Sequence, residues 1–135
     1  MDYLFDHEKL NVYQRSLQFI EWVDPYIEAI PSSLSTKKQL DRVSASIPLN
    51  IAEGNGKWSS KDRCRFFDIA HGSALECTAA LDIAVVKKAV DRESILPGKK
   101  VLQEIVNILI GLIKANDPDR KFGERESLSP HEEEE

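Results

Sequence analysis

The sequence predicts an all-α protein, an antiparallel up-down-up-down four-helix bundle, and three observations carry that prediction. Apolar residues recur at spacings of three and four in four separate segments. The connections between the segments are short, which makes chain neighbours antiparallel. Aromatic residues are only 7% of the chain and no stretch alternates apolar with polar residues, so strands have little to build on. With 135 residues the chain is the size of one domain with a modest core, which excludes a multidomain machine.

The first helix is expected to start after Asp6 as N-cap, with Glu8 in its first turn. Leu10, Tyr13, Leu17, Ile20, Ile27 and Ile30 form one apolar stripe, and Val12, Phe19, Trp22 and Tyr26 form a second. Two apolar faces imply more than one packing partner, a first sign of self-association. Pro25 is expected to kink this helix or break it at Asp24.

Thr36 with Gln39 reads as a capping box opening the second helix, whose apolar face is Leu40, Val43, Ile47 and Ile51. The spacing stays in phase across Pro48, which predicts one bent helix rather than two short ones. Gly54-Asn55-Gly56 stops it. Ser59 with Asp62 opens the third helix, with a seam of Phe66, Ala70, Ser73, Cys77, Ala80 and Ala84 whose small residues admit close neighbours. Asp91 to Gly98 breaks the pattern, and Val101, Leu102, Ile105, Ile108, Leu109, Leu112 and Ile113 build the fourth helix, ending near Asn116. The expected organisation is an N-terminal arm over 1–6, a bundle over 7–116 and a disordered acidic tail over 117–135.

Charge is unevenly spread. From Asp117 onward there are 8 acids against 3 bases, which accounts for the whole net charge of −5. Between Lys37 and Arg65 there are 7 bases against 3 acids, a local +4. Lys38 and Arg42 share a face of the second helix, and Lys61 and Arg65 share a face of the third. Basic residues at a helix N-terminus oppose the helix dipole, so stability alone does not explain Lys61, Arg63 and Arg65. A phosphate-bearing partner does: Lys37, Lys38, Arg42, Lys57, Lys61, Arg63 and Arg65 would take backbone phosphates and Trp58 would stack on a base. The bland alternative is a solvated helical surface with Trp58 covering a bundle end. The acidic terminus reads as a solubilising tail or as a competitor for the basic sector.

Other chemistry finds little support. Gly54-Asn55-Gly56 closes a helix and lacks the ending of a phosphate loop. Asp68-x-x-His71 is half of a carboxylate-bridged di-metal motif, with no second half in the chain. Cys64 and Cys77 lie on one predicted helix, about 20 Å apart by helical rise, too far for a disulfide. They are expected to be free buried thiols. No cofactor, metal or catalytic residue is expected. The start of the chain has no basic segment followed by an apolar one, and Ile105 to Ile113 is too short to cross a bilayer, so the expectation is a cytoplasmic protein with no membrane span.

Ser46-Ile47-Pro48-Leu49-Asn50-Ile51-Ala52-Glu53-Gly54-Asn55-Gly56 is similar to the core motif of the four helix bundle family known as 23S rRNA intervening sequence proteins. Leu10-Asn11-Val12-Tyr13-Gln14 resembles the family's opening. Leu40-x-Arg42-x-x-x-Ser46, Arg65-Phe66-Phe67 and Ile69-Ala70-x-Gly72-Ser73-x-x-Glu76 resemble its second and third helices. The likeness runs over about residues 7 to 113. It implies a small bundle, in some members a ring-shaped homopentamer, and a fold like that of the accessory protein of diversity-generating retroelements, which binds nucleic acid and a reverse transcriptase. It therefore implies a homo-oligomer with RNA, DNA or a partner protein, and no enzymatic activity. By the same resemblance Ser46, Pro48, Asn50, Glu53, Gly54, Gly56, Gly72 and Ser73 are architectural. Pro48 bends the second helix, Gly54 and Gly56 make the turn, and Gly72 and Ser73 admit a close helix contact. Asn50 or Ser44 would serve the carbonyl left free by the proline. The chain departs from the family pattern at Ala74-Leu75-Glu76-Cys77-Thr78 and at Pro25.

Overall fold

Four apolar stripes on four helix-forming segments can be buried together only if the helices face a common axis, and they do. The structure, a computed structural model, describes residues 2–122. Its helices are α1 (Asn11–Ala29), α2 (Ser35–Asn55), α3 (Ser60–Val86) and α4 (Leu96–Asn116), with 3-10 turns at Asp6–Lys9 and Glu93–Ile95. Among the described residues there is no strand. Each helix packs on its chain neighbours and α4 closes on α1, giving the antiparallel four-helix bundle. Phe19, Val23, Leu40, Ile47, Ile51, Phe67, Leu81, Leu102, Ile105 and Leu109 fill the axis.

Helix α1 begins at Asn11, after the 3-10 turn that holds Asp6, so Asp6 is not its N-cap. Its buried line is Val12, Ser16, Phe19, Val23 and Ile27, while Leu17 is exposed and Leu10, Tyr13 and Ile20 are half-buried. The core therefore takes Val12 and Phe19 from the second stripe and Ile27 and Ile30 from the first, with Trp22 and Tyr26 half-buried beside them, so the second stripe as a whole is no spare docking face. Two stripes one residue out of phase are equally helical, and only the neighbouring helices decide which points inward. Ser16 is tolerated there because its hydroxyl donates to the Tyr13 carbonyl at 2.6 Å. Pro25 neither breaks nor ends α1: it and Glu21, whose carbonyl it leaves without an i+4 donor, are both on the exposed side rather than in the core.

Helix α2 starts at Ser35 with Leu34 at the cap and no side-chain capping bond, and Thr36 is buried inside it. It runs unbroken through buried Pro48. Neither Asn50 nor Ser44 serves the carbonyl freed by that proline. Asn50 Nδ2 donates to the Ser46 carbonyl at 2.8 Å and to Ser46 Oγ at 3.0 Å, because the carbonyl within reach is one turn back; Ser44 Oγ donates to Asp41 O. Ser46 and Ser73 hydroxyls meet at 2.8 Å, so Asn50, Ser46 and Ser73 form a polar tie between α2 and α3.

Gly54 is helical and lies against α3: a Cβ there would come within 2.8 Å of the enclosed Phe67 ring. It is a packing glycine, not part of the turn. Gly56 ends the helix with φ −83, a conformation any residue adopts. Gly72 admits no close helix among the described residues, since a Cβ on it meets nothing within 4 Å.

Ser59 caps α3 as expected, its hydroxyl accepting from the Asp62 amide at 3.1 Å. The buried line includes Cys64 and Phe67, with Phe66 half-buried on the edge. By length and composition α3 is apolar enough to cross a bilayer, and in the bundle it packs on α2 and α4. It ends at Val86 with Lys87 as C-cap, and Lys88 just beyond adopts φ 62, where a glycine is favoured. Pro97 and Gly98, expected in the connection, form the first turn of α4. A Cβ on Gly98 would overlap the Trp22 ring, so this glycine seats the indole, which stacks on Tyr26 at 4.3 Å.

Candidate nucleic-acid interface

The up-down path places the α1 C-terminus and α2 N-terminus at one end of the bundle, and the α2 C-terminus, α3 N-terminus and α4 C-terminus at the other. The basic sector, continuous in sequence, is divided between them. Lys37 and Lys38 stand at the first end; Lys57, Trp58, Lys61, Arg63 and Arg65 gather at the second. Along α2 from Lys38 to Asn55 the helical rise is about 25 Å. Arg42 lies between, 4.0 Å from Glu76 of α3.

Two of the seven cations have structural work. Lys37 Nζ donates to the carbonyls of Ile27 at 2.8 Å, Ile30 at 2.9 Å and Glu28 at 3.3 Å, so it caps the C-terminus of α1. Arg63 reaches the Asn55 and Lys57 carbonyls, each at 3.4 Å, and Asn55 Oδ1 at 3.5 Å. Its place on the first turn of α3, adverse to its own helix, is favourable to α2, whose negative end lies alongside in an antiparallel pair. Stability does therefore explain Arg63, contrary to the expectation from a single helix.

The rest form a surface. Lys57 pairs with Glu53 at 3.4 Å, and Arg65 stands 4.0 Å from Asp62. Both cations flank the half-buried Phe66 ring, at 5.0 and 5.2 Å from its centre. Lys38 and Lys61 are exposed and carry no ion pair among the described residues. Trp58 is fully exposed, so it covers no bundle end. Beside this corner a cleft of about 580 Å³ is lined by Lys61, Arg65 and Arg120 together with Asp62, Asp68 and Asp117. Three cations and three carboxylates cancel, so the cleft is no phosphate cradle.

Asp117 to Phe122, expected in the tail, lies against the bundle. Arg120 grips Asp68 with two bonds of 2.9 and 3.0 Å, and the Phe122 ring lies under Lys114 and Arg120. The acidic segment beyond, including Glu132 to Glu135, lies outside the described residues. Asp68 is thus committed to an arginine, and among the described residues no group of three His, Cys, Asp or Glu could hold a metal. Cys64 and Cys77 are free and buried. Burial pushes the Cys77 thiol up to about 12 and also raises Cys64, so neither supplies a thiolate near neutral pH.

Sequence reasoning missed the N-terminal arm's part in this corner. Asn55 Nδ2 donates to Asp6 Oδ2 at 3.0 Å, across 49 residues of sequence, and no local signal announces such a pair.

Comparison with curated proteins finds no match. Among solved structures the chain is similar to the crystal structure of a protein of unknown function from the S23 ribosomal protein family of Bacteroides thetaiotaomicron. The two are 27% identical with a TM-score of 0.69, over 76% of this chain and 98% of that one. A model of the 23S rRNA-intervening sequence protein family matches residues 8–111, from the first 3-10 turn through most of α4. The chain belongs to the 23S rRNA-intervening sequence protein family.

Proposed function

We propose that this protein is a non-enzymatic, self-assembling bundle of the cytoplasm that binds RNA, DNA or a nucleoprotein through the corner between α2 and α3. The observation that carries the reading is fully exposed Trp58, which packs on nothing among the described residues, set among Lys57, Lys61 and Arg65. Lys38 and Arg42 extend the surface along α2, and Lys37 and Arg63 drop out because backbone carbonyls occupy them. A few cations per chain attract phosphates weakly, and repetition around an oligomer, in the family's manner a homopentamer, multiplies the attraction. Reversing both Lys61 and Arg65 to Glu is expected to weaken binding about equally for all sequences and to flatten the dependence of affinity on salt by about two phosphate contacts. Unchanged affinity would reject this face.

A second reading, a protein-binding scaffold without nucleic-acid affinity, is favoured by the outward side of α3. Ile69, Gly72, Glu76, Ala79, Ile83 and Val86 follow one another at alternating spacings of three and four, all but Gly72 exposed, and only Glu76 among them is charged. That is the period of a helix-docking seam. A Cβ on Gly72 meets nothing within 4 Å among the described residues, so a fall to monomer mass in light scattering on Gly72→Arg, with the circular dichroism of an intact bundle, would assign the seam to self-assembly. A monomeric native protein would remove self-assembly from both readings.

A further inference from the structure

The N-terminal arm brings a second exposed ring to the Trp58 corner. The bond between Asp6 and Asn55 fixes the arm to the last residue of α2, and Arg63 holds the other side of Asn55. Phe5, one residue before Asp6, and Trp58, three residues after Asn55, are thereby set at one corner from opposite directions of the chain. Phe5 is 63% exposed. Its conformation is not loose: the Phe5 amide donates to Glu8 Oε1 at 3.2 Å, and its ring stacks on His7, which meets Tyr13 edge-on at 4.8 Å. Two exposed rings held on a braced backbone, with Lys57, Lys61 and Arg65 beside them, are the two components of single-strand recognition: flat apolar faces for unpaired bases and cations for the backbone between them. A duplex offers the same phosphates but hides its base faces in the stack, and would leave both rings unused.

We propose that the arm and the α2–α3 corner together form a site for single-stranded nucleic acid, with Phe5 and Trp58 stacking on unpaired bases and Lys57, Lys61 and Arg65 contacting the intervening phosphates. The proposal rests on the nucleic-acid reading above and narrows it to one ligand class and one additional residue.

The full chain reports on this directly, because its two tryptophans differ: Trp22 is packed on Gly98, and Trp58 is open to solvent. Three probes of equal strand length separate the terms: dodecathymidylate, an abasic strand with the same number of phosphates, and a duplex. Dodecathymidylate is expected to quench tryptophan emission, an effect absent in Trp58→Phe, and to bind roughly tenfold tighter than the abasic strand or the duplex. Phe5→Ala is expected to remove most of that advantage while leaving abasic-strand affinity unchanged, and Lys61→Glu to weaken all three. Circular dichroism of Phe5→Ala confirms an intact bundle. Equal affinity for thymidylate and abasic strands without quenching would overturn the stacking site while sparing the phosphate surface. No binding of any probe at low salt would overturn both. Trp58 emission that changes on dilution of the protein alone would assign the rings to a second copy of this chain and overturn the proposal.

Discussion

The two ends of the bundle are built with the same two devices and leave different things exposed. At one, Lys37 caps the C-terminus of α1 and Gly98 seats the Trp22 ring; at the other, Arg63 caps the C-terminus of α2 and Gly54 seats the Phe67 ring. The difference lies in the surplus. Beyond its cap the first end keeps Lys38 with exposed Lys87, Lys88 and Arg92 but no exposed aromatic ring among the described residues, whereas the second keeps Lys61, Arg65, Trp58 and the arm with Phe5. A cation at a helix junction is therefore evidence of a binding surface only after the demand of the adjoining helix terminus has been met.

The seats give the largest test of this parallel. Phe67 is enclosed and cannot swing away, while Trp22 is half-buried and can. Gly54→Ala is expected to lower unfolding free energy by about 2 to 3 kcal/mol, the upper part of the over-packing range, in urea denaturation. Gly98→Ala, despite the closer overlap, is expected to lower it by only about 1 to 2 kcal/mol and to shift Trp22 emission to the red as the indole is displaced. A larger loss at Gly98 would mean that the Trp22 ring is as fixed as Phe67.

The caps come next. Lys37→Met is expected to lower stability by about 1 to 2 kcal/mol, because two short bonds and one longer bond to carbonyls at a helix end are lost. Arg63→Met, whose bonds are longer, is expected to lower it by about 0.5 kcal/mol. Neither substitution is expected to change nucleic-acid affinity by more than about twofold at constant salt, in contrast to Lys61→Glu with Arg65→Glu. A large affinity loss in either cap variant would return that residue to the interface.

Between the ends lies Cys77, fully buried on α3, and it sharpens the picture through pH. Its thiol ionises at about 12 in the folded chain against the ordinary 9.0. Above the ordinary value the unfolded chain gives up a proton that the folded chain keeps, so stability is whole below that pH and falls as pH rises. The loss is expected to reach about 1 kcal/mol near pH ~10, and Cys77→Ala is expected to flatten that slope. An unflattened slope would place the alkaline sensitivity elsewhere, first at Cys64, whose thiol burial also raises.

The arrangement of four helices, the stop after Gly56, the Ser59 cap and the free thiols are local properties, set by the period of apolar residues and by single capping side chains, and they are written in the chain one segment at a time. The resemblance motif from Ser46 to Gly56 likewise lies within one helix end. Which stripe of α1 faces inward, why Gly54 and Gly98 are glycines, and why Lys37 and Arg63 are basic are relations between helices, and each depends on a residue more than nine positions away or on a neighbouring helix's terminus. The basic run from Lys37 to Arg65 shows the distinction most directly. Its charge is a sum over sequence, but a helix carries its residues along an axis, and about 25 Å of α2 separates what the sum had joined. The pairing of Asp6 with Asn55 works the other way, bringing the arm to Trp58 across most of the chain's first half. Only the packed bundle, by choosing which ends meet, decides which cations and rings share a surface.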